Sequence, residues 1–252
     1  MSERKSKLFG LFAFIFIVSG FVFLIITGSK ANVKEVYNQI EIKGNKLLPA
    51  GEYLRYTGLS DSTKYDELTL SDVKTKFEKH PYMRKAEVEF DGINKILVEV
   101  EEKEIKAVLL QNNVLKLVTN DLETLPLFPP SNIRDLPVLS NLNSHSKKSF
   151  DSTNIEFAFR IIDAISMSDT NIRKNLAEIN LRKSGDIILT FTGLNFPVLF
   201  GKSDEVKKAL ILKDLWPKIT SDKYISQSIE YLDLRYKNKI FIGKRKSELI
   251  DG

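Results

Sequence analysis

Residues 83–101 read MRKAEVEFDGINKILVEVE, and their periodicity decides the fold. Ala86, Val88 and Phe90 alternate with Lys85, Glu87 and Glu89. That two-residue period predicts a half-buried strand over 83–90. Asp91-Gly92 is a hairpin signal. Ile96, Val98 and Val100 then alternate with Glu99 and Glu101, which predicts the return strand. One face of this hairpin is apolar and must be covered. The other carries glutamates and stays wet.

The covering elements lie on the N-terminal side. Val36, Ile40 and Ile42 share one face of a predicted strand that Gly44-Asn45 ends. Pro49 to Thr57 reads as a short helix closed by Gly58. Thr69-Leu70-Ser71-Asp72 is a helix start with an acid in the first turn. Leu70, Val73 and Phe77 recur at helical spacing until His80-Pro81 stops the helix. The order strand, helix, helix, strand, strand predicts a three-stranded sheet with two helices on one face.

Further out, Leu8 to Thr27 reads LFGLFAFIFIVSGFVFLIIT, with no charge and no proline. A helix of that length spans roughly 30 Å, a bilayer's hydrocarbon core. Residues 8–28 are therefore expected to be a single transmembrane helix, with a cytoplasmic tail over 1–7 and a linker over 29–35. Arg4, Lys5 and Lys7 on the short tail place the N-terminus inside. A cleaved signal peptide is the rival, with Ser29-Lys30-Ala31 as its site. The apolar run exceeds the usual signal core of about 7–15 residues.

After the hairpin the pattern changes. Val108 to Val118 predicts two short strands around Gln111-Asn112-Asn113. Asn120 to Leu139 holds Pro126, Pro129, Pro130 and Pro137, and reads as irregular chain on the surface of a sheet. Asn141 to Ser149 is a polar loop. Ile155, Ala158, Phe159, Ile162 and Ile165 make an amphipathic helix. Strands are expected at 179–181, 187–191 and 197–200. Ser203 is expected to cap a helix ending near Trp216-Pro217, and residues 229–236 and 239–243 to form a closing hairpin.

The chain has 38 Lys+Arg and 33 Asp+Glu, a dispersed excess of +5 that does not argue for nucleic acid. It has no cysteine, which excludes disulfides, thiolate metal sites and cysteine nucleophiles. His80 and His145 sit at a helix end and in a polar loop, and no metal or phosphate motif appears. Glu99, Glu101, Glu102 and Glu104 are expected to form a solvated face and not an acid–base pair. No enzyme, cofactor or small-molecule substrate is expected. An envelope enzyme would need a pocket with a strongly perturbed carboxylate.

The residues also carry a resemblance. Ile40-Glu41-Ile42-Lys43-Gly44-Asn45, Gly58-Leu59 and His80 to Val88 resemble a POTRA domain of the FtsQ/DivIB cell-division family. Tyr82 stands where the family often has Trp, and Ile105 where it often has Pro. Val198-Leu199-Phe200-Gly201, Lys207, Leu210 and Tyr231-Leu232-Asp233-Leu234-Arg235-Tyr236 resemble the family's β domain. The resemblance implies an α+β chain: a POTRA domain over 36–104, a mixed-sheet β domain with two main helices over 105–244, and a tail over 245–252. It implies a single-pass type II protein of the cytoplasmic membrane, at the division septum, with its bulk outside. The alternative is a POTRA-bearing protein of a secretion or outer-membrane assembly system. That reading expects further POTRA copies or barrel strands, and the sequence shows neither.

Ile240-Phe241-Ile242 has apolar side chains for both faces of the last strand, with Lys239 and Lys244 as its only guards. Such a strand either packs one face as core or offers an edge for strand addition. The resemblance implies the second. An FtsB/DivIC-like partner, paired with an FtsL-like coiled-coil protein, is expected at Arg235, Tyr236, Asn238, Ile240, Ile242 and Gly243, with other division proteins assembling on the chain.

Overall fold

A computed structural model of the chain describes residues 14–23, 38–60, 65, 68–92, 94–142, 152–182, 186–221, 223–237 and 239–245, with 152 and 223–225 as backbone alone. Residues 14–23 form helix α1, and all of its side chains are exposed. Among the described residues no helix is long and apolar enough to cross a membrane. Ten helical residues rise only about 15 Å, half the hydrocarbon core. The rest of the expected span, the tail over 1–7, the linker and residues 246–252 lie outside the described residues.

The first unit follows the expected order: β1 (Gln39–Lys43), α2 (Ala50–Thr57), α3 (Leu70–Glu78), β2 (Met83–Phe90) and β3 (Lys95–Glu102). The sheet order is β1-β3-β2, with β1 parallel and β2 antiparallel to β3. Val88 faces Val98 and Ala86 faces Val100, so the alternation read from the sequence sets the register. Tyr53 from α2 and Val73 and Phe77 from α3 are buried in one core with these strands. A capping box starts α3: the Thr69 side chain accepts from the Asp72 amide at 3.1 Å, and Asp72 accepts from the Thr69 amide at 3.0 Å. Gly44 ends β1 at φ +86°, against the Val100 carbonyl, where any Cβ would collide with that oxygen.

Glu87, Glu89, Glu99 and Glu101 are exposed, as the alternation requires. Glu102 departs from the expected solvated face. Its carboxylate accepts from the amides of Lys46 at 2.8 Å and Leu47 at 3.0 Å, and from the Tyr53 hydroxyl. It therefore ties the loop after β1 to the end of β3. Burial, with Glu102 beside it, pushes the Tyr53 hydroxyl well above its ordinary pKa.

The second unit is built on β4 (Ile105–Gln111), β5 (Val114–Thr119), β6 (Thr124–Pro126), β7 (Val138–Ser140), α4 (Ser152–Ser168), α5 (Thr170–Asn175) and β8 (Leu176–Leu181). It continues with β9 (Ile187–Phe191), β10 (Val198–Leu199), α6 (Glu205–Ser221), α7 (Lys223–Ser228), β11 (Ile229–Asp233) and β12 (Phe241–Lys244). The mixed sheet runs β12-β11-β10-β9-β8-β7-β4-β5-β6. Ile155, Ile161 and Ile165 of α4 and Leu212 of α6 are buried with Leu139, Ile179, Leu189 and Leu232 of the sheet.

Three expectations are corrected. Residues 120–139 are not surface chain throughout: β7 is a central strand, parallel to both β4 and β8. Pro137 precedes β7, and its carbonyl accepts from Val108 at 3.0 Å. Pro126 closes β6 at the sheet's end, so prolines bound these strands without interrupting a ladder. Helix α6 starts at Glu205, not after Ser203, and runs through Pro217 to Ser221. Pro217 is exposed, on a side where the missing bond faces water. The strands of the closing hairpin are shorter than expected, because the chain leaves the ladder after Asp233.

The two units share a core. Val108, Leu117 and Leu125 of the second are buried with Tyr82 and Val98 of the first. The Asn132 amide donates to the Leu47 carbonyl at 2.8 Å, and the Phe128 amide to the Tyr82 hydroxyl at 3.0 Å.

Candidate functional site

Among the described residues, strand β12 lies at one end of the nine-stranded sheet, paired only with β11. Which of its backbone groups are free follows from the neighbouring ladder. The amides of Leu232 and Leu234 donate to Pro197 at 3.0 Å and Leu199 at 2.9 Å, on the β10 side. Tyr231 and Asp233 therefore direct their N–H and C=O groups toward β12. They are opposite Gly243 and Phe241. In an antiparallel ladder these are the pairs that exchange bonds, and the residues between them point outward. The N–H and C=O groups of Ile242 and Lys244 thus face away from the sheet, and Ile240 continues the alternation. The Arg245 amide, donating to Ser228 at 2.9 Å, fixes this register at the far end.

The side chains alternate with the backbone. Ile242 lies opposite Leu232, on the core face but beyond its rim, and is 47% exposed. Phe241, also 47% exposed, packs edge-on against Tyr236 with ring centroids 5.0 Å apart. Tyr236 itself is 55% exposed. The Tyr231 ring lies across Gly243 so closely that any Cβ there would overlap it. Gly243 is thus the seat of an aromatic ring, which neither its spacing nor its composition reveals.

Arg235 is braced within the chain. Its Nε donates to Asp233 Oδ1 at 3.0 Å, its Nη2 to Asp233 Oδ2 at 2.7 Å and its Nη1 to Asp186 at 3.2 Å. Asp233 is only 4% exposed, and its bonds to Arg235 hold its carboxyl below the usual range. The guanidinium is correspondingly pushed up. The Asp233-Leu234-Arg235 run is thus a turn clamp that sets where β11 ends and β12 begins. Asn238, in that turn, lies outside the described residues.

Sequence reasoning passed over Lys208. It is buried beneath the turn, with Nζ donating to the Phe200 carbonyl at 2.7 Å, and burial pushes its amine down. A small cavity of about 140 Å³ opens there between Lys207, Lys208, Arg235, Tyr236 and Lys239. The helical spacing of α6 assigns Lys208 to the inner face, and that was the available signal. Of the other residues considered, His80 is 2% exposed and not a helix-end group in water. His145 lies outside the described residues. The larger cavity, about 680 Å³, is an open groove beside Glu87, Glu99, Glu101, Lys46 and Lys103 on the wet face of the first sheet.

The chain matches the models of two known domain families. A family model described as POTRA domain, FtsQ-type, matches residues 37–103. A second, described as Cell division protein FtsQ/DivIB, C-terminal, matches residues 107–235, more than half the chain. The chain belongs to the FtsQ/DivIB family of cell-division proteins. It is also 21% identical over 214 residues to the Cell division protein FtsQ of Syntrophotalea carbinolica, covering 84% of this chain and 74% of that protein. The C-terminal match of this FtsQ/DivIB chain ends at Arg235. Tyr236 and all of β12 therefore lie just past the matched segment.

Proposed function

We propose that this FtsQ/DivIB protein is a non-catalytic scaffold of the division machinery. Residues 8–28 anchor it in the cytoplasmic membrane, with residues 29–252 outside and the protein gathered at the septum. It captures an FtsB/DivIC–FtsL type coiled-coil pair by strand addition on β12 and links that pair to septal peptidoglycan synthesis. Family membership supports the division role. The ring of exposed apolar side chains on α1 supports the anchor, because no described residue covers them.

The observation that carries the docking mechanism is the outward row of N–H and C=O groups at Ile242 and Lys244, flanked by exposed Ile240, Phe241 and Tyr236. Main-chain bonds to that row supply affinity, and the side chains on its two faces supply specificity. Arg235 contributes by holding the turn, since its own bonds already occupy its guanidinium.

Ile242→Pro removes one outward donor and no bond between β11 and β12. In the full chain co-expressed with the coiled-coil pair, it is expected to abolish co-purification while the circular dichroism spectrum is retained. Recovery of the pair at wild-type yield would refute strand addition at β12.

A further inference from the structure

The junction between the two units is closed over a histidine. The His80 ring, just past the end of α3, packs against Tyr53 and Tyr56 of α2, Tyr82 in the turn before β2, and Phe128, with centroids 4.8, 4.3, 5.2 and 5.5 Å away. Phe128 is the one ring in this group contributed by the second unit. His80 Nδ1 accepts from the Tyr82 amide at 3.1 Å, which fixes the neutral form with its proton on Nε2. The hydroxyl of the same Tyr82 accepts from the Phe128 amide at 3.0 Å and reaches the Pro126 carbonyl at 3.0 Å and the Ser131 hydroxyl at 2.9 Å. One residue thus joins the imidazole to a strap of the second unit, residues 126–132.

We propose that His80, Tyr82 and Phe128 form an acid-sensitive joint, in which protonation of the buried imidazole releases the strap over 126–132 and loosens the first unit from the second. A proton on Nδ1 turns the acceptor of the Tyr82 amide into a second donor, so that bond is lost. It also places a cation among four rings, with no carboxylate bonded to it. The carboxylate of this network, Glu102, is taken by the Tyr53 hydroxyl and the amides of Lys46 and Leu47. The carboxylates of the flanking helices are paired elsewhere, Glu52 of α2 with Arg55 and Glu78 of α3 with Lys74 at 3.8 Å, and the α3 cations Lys76 and Lys79 only oppose a further positive charge. The Tyr53 hydroxyl, pushed up by burial, supplies no anion to the ring. Hydration of the charged ring requires its cover to lift, and Phe128 is the cover that belongs to the strap.

Burial holds the imidazole down to about 4, against an ordinary value near 6.5. The closed joint therefore excludes a proton that the open joint binds. Its stability is complete above about pH 6.5 and declines as pH falls toward 4. Between pH 7 and pH 4.5 the open population is expected to rise by about 10- to 50-fold.

Hydrogen exchange of the full chain in detergent, at pH 7 and 4.5 and corrected for intrinsic rates, tests this. Peptides covering 126–132 are expected to gain that factor while those covering β8 and β9 do not change. The gain is expected to vanish in His80→Phe and to persist in Glu102→Gln. An unchanged strap, an equal acid response in His80→Phe, or simultaneous exchange of every peptide would overturn the joint. A second measurement does not depend on the variant's folding. In His145→Gln the His80 imidazole proton resonance is expected to titrate below about pH 5, and a midpoint near 6.5 would overturn the proposal as well.

Discussion

Two of the strands at sheet ends, β2 and β12, contrast in length and in the side chains they expose. β2 lies at one end of the small sheet and β12 at one end of the large one. β2 runs for eight residues and exposes Arg84, Lys85, Glu87 and Glu89, with Arg84 paired to Glu101 at 3.1 Å. β12 has four residues and exposes Phe241 and Ile242, with Tyr236 and Ile240 beside them. Charge along an edge blocks pairing with another chain, because each incoming strand must desolvate it. A short apolar edge carries no such penalty. On the docking proposed for β12, a free edge is not in itself enough. The side chains beside the backbone groups decide whether an edge is closed or offered.

Three variants test that contrast beyond the loss of capture expected for Ile242→Pro. The largest effect on the fold is expected at the clamp that ends β11. Arg235→Met leaves Asp233 buried without its cation, and such losses cost about 3–5 kcal/mol when complete. Because the Arg235 side chain is 34% exposed, about 2 kcal/mol is expected, read as a lower urea midpoint. A midpoint equal to wild type would mean that water replaces the clamp and that the turn does not define β12.

A smaller effect is expected at Tyr236, where little stability is involved because the ring is mostly exposed. Tyr236→Ala is expected to weaken capture of the coiled-coil pair by about 1–3 kcal/mol with an unchanged urea midpoint. Titration calorimetry measures it. Equal affinity would move the recognition surface off the aromatic face of β12.

The smallest effect is expected at the guarded edge. Replacing Lys85 and Glu87 together by Thr removes an exposed ion pair and is expected to leave the urea midpoint unchanged. Capture of the pair is expected to be unaffected. Sedimentation at rising concentration is expected to show self-association absent from wild type. If the pair instead bound the altered β2, the two edges would differ only in their guards.

Much of this was legible in the sequence, and the reason is local encoding. The first unit is written in short-range periods: two residues in Met83–Phe90, three to four between Leu70 and Phe77, and a turn signal at Asp91-Gly92. Each period needs only its own neighbours to be read. The last strand was legible as apolar on both faces. The sequence left open whether it was core or edge.

The rest depended on contacts between distant residues. Nothing in Val138–Ser140 announces a central strand, because three residues show no period and their partners are at 108–109 and 178–180. Glu102 reads like its neighbours Glu99 and Glu101, and only the loop at Lys46 and Leu47 makes it structural. His80 is marked as a helix end by the proline after it, yet the rings that bury it come from α2, from Tyr82 and from Phe128, nearly fifty positions later. Periodicity determined which residues form strands and helices and which faces are apolar. The tertiary structure decided which polar groups lose water and which backbone groups keep it, because desolvation is set by whatever the rest of the chain brings alongside.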